Sequence, residues 1–89
     1  MTAKLKKLIE NDDSGQKRVI YELPDCTIKH VTDRGGVLVT YDYNFLGKIE
    51  TMEEWFPITQ LYNPVEDIKP GATIDLLISA WIAREKRFV

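Results

Sequence analysis

The single cysteine, Cys26, and the single histidine, His30, stand four positions apart, and these are the residue types from which a nucleophile with its base, or half of a metal site, is built. On a strand that spacing points both side chains to one face but separates them by about 13 Å, too far for a shared proton. No further cysteine or histidine exists to complete a metal site. Cys26 therefore reads as a small core residue and His30 as a core or edge histidine facing the same way as Ile28. Asp12-Asp13 belongs to a polar, glycine-containing loop, where carboxylates serve turns. Gly35-Gly36 is not followed by a helix N-terminus and is a turn, not a phosphate cradle. No catalytic residue, metal or cofactor is expected, and the chain reads as a non-enzyme.

The aromatic residues carry more chemistry. Tyr41, Tyr43, Phe45, Trp55, Phe56 and Tyr62 fall close together, interleaved with Asp42, Glu50, Glu53 and Glu54. Tyr41 shares the face of Val37 and is the ring best suited to the core, and a domain this small buries about half of such a set. Rings left at the surface beside carboxylates attract cations through cation–π and Coulomb terms together. The expected ligand-binding set is Tyr41, Asp42, Tyr43, Asn44, Phe45, Glu53 and Trp55, and the expected ligand is a protein or basic peptide.

The whole chain has 89 residues, enough for one domain, with 44% hydrophobic and 29% charged residues, the balance of a folded soluble protein. One cysteine excludes an intramolecular disulfide. No run of roughly 18 apolar residues exists, and the start, MTAKLKKLIENDD, has charges where a signal peptide needs its apolar stretch. A soluble, cytoplasmic protein with no membrane partner is expected. The net charge of −2 opposes a chain that must blanket phosphates. Nucleic acid is the runner-up partner, contacted through the basic ends Lys4, Lys6, Lys7, Lys17, Arg18, Arg84, Lys86 and Arg87.

Those residues are positioned by the elements around them. Leu5, Leu8 and Ile9 make a short apolar stripe at helical spacing, so residues 1–16 read as a short helix and a turn around Asn11 to Gly15. Residues 17–64 read as strands. An edge strand runs through Arg18 to Tyr21 with a kink at Pro24-Asp25, and a hairpin follows, with Asp33 capping the turn at Gly35-Gly36. A second turn lies at Asn44 to Gly47. Thr51-Met52-Glu53-Glu54 matches a capping box, but strand continuation to Pro57 is the preferred reading. Prolines and glycine mark 65–72 as a linker. Ile74, Leu77, Ile78, Trp81, Ile82 and Phe88 then recur at helical spacing behind Thr73 as N-cap, predicting a helix over 73–88. Its wide apolar side makes Trp81 and Phe88 candidates for a homodimer interface.

The pattern is that of an α+β, mainly β fold: a small antiparallel barrel or curled sheet with a C-terminal α-helix packed on it. Asp25-Cys26-Thr27-Ile28-Lys29, Val37-Leu38-Val39-Thr40-Tyr41-Asp42-Tyr43, Glu53-Glu54 and Leu61-Tyr62-Asn63-Pro64 resemble the Tudor and related SH3-like barrel domains over residues 18–64. The resemblance implies a five-stranded barrel that binds a peptide, often with a methylated Lys or Arg, in an aromatic cage. Tyr41 and Tyr43 would be its walls, Asn44 a polar contact and Tyr21 a third wall. The chain departs from the pattern in lacking an aromatic between Met1 and Ile20 and in its longer Asn44 to Glu54 hairpin. The reading is a small adaptor or inhibitor, of a kind that suits an accessory protein of a phage or mobile element.

Overall fold

The computed structural model describes residues 5–89. The strands are β1 (Lys6–Asn11), β2 (Lys17–Val31), β3 (Gly36–Phe45), β4 (Lys48–Pro57) and β5 (Thr73–Ser79), with 3₁₀ turns at Ile58–Gln60 and Val65–Asp67 and a short helix α1 (Ala80–Glu85). All pairings are antiparallel: β1-β2-β3-β4 run in order, and β5 lies along the other edge of β2. A mainly β, curled antiparallel sheet with a C-terminal helix is the fold.

Residues 6–11 form a strand, not the helical turn that Leu5, Leu8 and Ile9 suggest. So short a helix is marginal by itself, whereas β1 gains a full ladder with β2, from Lys6 opposite Glu22 to Asn11 opposite Lys17. The Asp12 carboxylate builds the connecting turn, accepting hydrogen bonds from the backbone N–H groups of Ser14 and Gln16 and from the Ser14 hydroxyl, with Gly15 in the left-handed region.

Strand β2 is central, contrary to the edge position that Pro24 suggested. The proline is tolerated because it falls in a gap: β1 pairing ends at Glu22, β3 pairing begins at Thr27, and the β5 register shifts between Leu23 and Cys26. No ladder bond is asked of Pro24. Asp25, at φ 54, turns the strand there, and its N–H donates to Asp75 Oδ1. A second shift between Ile28 and His30 moves His30 to the exterior while Cys26 and Ile28 remain fully buried.

The hairpin of β2 and β3 forms as expected, but Thr32 makes its turn in place of Asp33. The Thr32 hydroxyl accepts from Gly36 N–H, and Thr32 also exchanges backbone bonds with Gly35 and Gly36. The linker expected at 65–72 is tied down: Ile68 is buried, and Gly71 and Ala72 bond the backbone of Ile28.

The predicted helix over 73–88 is two elements. Its first half is β5, because Ile74, Leu76 and Ile78 also alternate, and the open edge of β2 pairs with six of its seven residues. Ser79, not Thr73, caps the six-residue helix, its Oγ accepting from Ile82 N–H. Thr73 instead meets Thr27 hydroxyl to hydroxyl across the sheet. Phe88 also needs correction: it belongs to the core, not to an exposed oligomer interface. Phe88 N–H donates to Ala83 O and Arg87 N–H to Arg84 O, the paired bonds of a Schellman turn, which carry the ring inward. There it stacks on Phe56 (6.1 Å between centroids) and meets Tyr41 edge-on (5.8 Å). Trp81 does stay half-exposed.

Candidate functional site

The β3–β4 hairpin is the feature that stands apart. It has ten consecutive residue pairs without a register shift, from Gly36 opposite Pro57 to Phe45 opposite Lys48. Strand β3 pairs with β2 only as far as Thr40, so everything beyond is a two-stranded ribbon, and the molecule measures 43 × 31 × 20 Å. Leu46 and Gly47 close the tip, both with positive φ (52° and 82°), as a two-residue hairpin with strands of right-handed twist requires. Asn44 stabilises it by accepting from Gly47 N–H. Leucine pays a steric cost in this region and is almost wholly exposed, with Phe45 and Ile49 exposed beside it.

Cross-strand partners share a face, so the register assigns every side chain of the ribbon. The inner face carries Tyr41 with Met52, Tyr43 with Glu50, and Phe45 with Lys48; the outer face carries Leu38 with Trp55, Thr40 with Glu53, and Asp42 with Thr51. The residue set expected from sequence is thus divided by the sheet. Tyr41, Tyr43 and Phe45 lie on one side; Asp42, Asn44, Glu53 and Trp55 lie on the other. Tyr41 is a core residue rather than a free wall, since it is buried against Phe88. Burial, and next the Glu54 carboxylate, push its phenol up to about 12.

On the inner side a groove of about 200 Å³ is lined by Tyr41, Tyr43, Met52, Glu54, Lys86, Arg87 and Phe88. Lys86 Nζ bonds Glu54 Oε1 at 2.8 Å and sits over the Phe56 ring, so that cation and that carboxylate are mutually satisfied. Tyr43 and Phe45 lie side by side, 6.2 Å apart. Arg87, exposed and held at φ 59 by the Schellman turn, stands at the groove's rim. On the outer side Trp55, 46% exposed, meets His30 edge-on at 6.3 Å, and Thr51 donates to Asp42 at 2.8 Å.

The chemistry that Cys26 and His30 suggested is excluded by the same geometry. The thiol is sealed in the core and pushed up to about 12, chiefly by burial, while the imidazole is outside. Among the described residues no three His, Cys, Asp or Glu side chains group as metal ligands, and no helix is long and apolar enough to cross a membrane. Of the basic residues, Arg18 is engaged with Glu10 and the Tyr62 ring and Lys86 with Glu54; Lys4 lies outside the described residues. The groove contacts of Lys86 and Arg87 were missed in sequence, because a Schellman turn built without glycine gives little signal there.

Comparison with family models, with curated proteins and with solved structures finds no match for this chain.

Proposed function

We propose that the chain is a non-catalytic protein-interaction module that receives a basic segment of another protein on the β3–β4 ribbon. The observation that carries this reading is the ribbon's composition in its setting. Phe45, Leu46, Ile49, Met52 and Trp55 are all exposed on it, a concentration of apolar surface that a folded domain otherwise covers. Over 36–57 these residues share the hairpin with four carboxylates and one lysine, a net charge of −3. Of these, Glu54 is already paired with Lys86, and Asp42, Glu50 and Glu53 are exposed. Apolar surface with unneutralised negative charge selects a partner that is both apolar and cationic.

The test is titration of a Lys- and Val-containing peptide against Trp55 fluorescence in a Trp81→Phe background. Binding that weakens with salt, and that falls about tenfold in the double variant Glu50→Lys/Glu53→Lys without loss of folding stability, is the expected result. Equal binding by the charge-reversed variant refutes the reading. Retention of the parent on heparin or single-stranded DNA, lost with salt, transfers the function to the basic ends instead.

A further inference from the structure

The two halves of the ribbon's surface point in opposite directions, and what they share is the open edge of β4. We propose that this edge takes up an extended, Lys- or Arg-bearing segment of a partner protein by strand addition, so that the partner becomes the next strand of the sheet. This rests on the interaction-module reading and specifies its mode.

Strand β4 is ten residues long and unbroken by a bulge, with proline only at its last position, Pro57. Among the described residues its only ladder is with β3, and no turn or loop backbone bonds residues 48–55 from the other side. Folded proteins blunt such an edge with bulges, prolines, shortness or charged side chains; here the strand is long and without a bulge, Pro57 stands only at its end, and beside Lys48 the charges are the acidic Glu50, Glu53 and Glu54. A strand's row of unpaired N–H and C=O groups is a template for another strand.

Charge decides which strand. A second copy pairing antiparallel about a two-fold axis normal to the sheet must oppose positions of equal parity, because cross-strand partners share a face. A register centred on Glu50 or on Glu53 opposes that glutamate to itself. One centred on Met52 opposes Glu50 to Glu54, and one centred on Thr51 sets the exposed Ile49 against Glu53 and Lys48 against Glu54. Like charges directly opposite are destabilising, which disfavours the registers centred on Glu50, Met52 and Glu53; the Thr51 register has no like-charge pair, but its one ion pair falls on a Glu54 that Lys86 already holds. A cationic strand meets the reverse situation. Its inward side chains run beside Glu50 and Met52, its outward ones beside Glu53 and the exposed Trp55 ring, where an ammonium or guanidinium gains both ion pairing and a cation–π contact.

The probe is a capped peptide as long as β4, alternating Lys and Val, compared with the same peptide N-methylated at every second residue so that one edge cannot donate. Hydrogen exchange of the full chain is followed in parallel. Strand addition predicts that the plain peptide slows exchange at alternate amides of 48–55 by about tenfold or more, as one edge of an antiparallel strand requires, and that methylating the pairing edge abolishes this. Equal binding of both peptides with β4 amides unprotected overturns strand addition and leaves the interaction module standing. Absence of binding by either overturns both. Protection of the β1 edge instead, or concentration-dependent protection of β4 before peptide is added, overturns the assignment of edge or of occupant.

Discussion

Removing the Phe88 ring tests the packing on which the whole inner face depends. Phe88 retains 6% of its surface exposure, stacks on Phe56 with planes 13° apart and meets Tyr41 at 68°. Burial of a phenylalanine is worth about 2–3 kcal/mol, and each aromatic contact adds about 0.5–1.5 kcal/mol. Phe→Ala in a closed core costs about 3–5 kcal/mol. Here the vacated space opens into the groove beside Arg87, where water enters, so Phe88→Ala is placed at the low end, about 3 kcal/mol. For a domain of this size each kcal/mol moves Tm by roughly 4–8 °C, giving a fall of roughly 12–24 °C. Urea unfolding by circular dichroism should show a lower midpoint with an unchanged m-value, and Phe88→Leu should lose less than about 1.5 kcal/mol. Sedimentation of both variants should give the parent's mass at concentrations where the protein is folded. A loss below about 1 kcal/mol, or a smaller particle than the parent, would refute the core assignment and return Phe88 to an interface.

Four other outcomes follow from the same structure. Arg87→Gly relieves a left-handed residue at the helix end, and after the greater unfolded-state freedom of glycine is subtracted it should stabilise by up to about 1 kcal/mol in urea unfolding. Asp12, held below the usual carboxylate range by the Ser14 hydroxyl and then by Gln16 N–H, contributes stability present above the ordinary value of 3.8 and lost as pH falls through its lower folded value. Asp12→Asn should therefore flatten the acid limb of a stability–pH curve. Cys26 and Tyr41 are both raised to about 12, from 9.0 and 10.0, so their contribution is complete below pH 9 and is lost as pH rises toward 12. Tyr41→Phe should reduce the fall in stability measured between pH 9 and 11, and Cys26 should resist thiol reagents at pH 8 until denaturant is added.

What the sequence determined by itself was local. Alternation of Val37, Val39 and Tyr41 and the Gly35 turn defined the β2–β3 hairpin, and Asn44 to Gly47 defined the second, because period-two burial and positive φ leave direct traces in residue type. The interleaving of rings and acids on β3 and β4 was likewise legible, but not which rings are exposed. Three matters were decided only by tertiary structure. Residues 74–79 satisfy both the helical and the strand period, and the unpaired edge of β2 selected the strand. The bulge between Ile28 and His30 inverted the histidine's face, which no reading of alternation reveals, since one extra residue shifts every later side chain. Phe88 was drawn inside, onto Phe56 and Tyr41, by a Schellman turn that relies on Arg87, a residue type that does not announce one. The division of the acidic aromatic surface into two faces joined by one open edge has the same origin: sequence lists which side chains are near along the chain, and pairing decides which of them share a side.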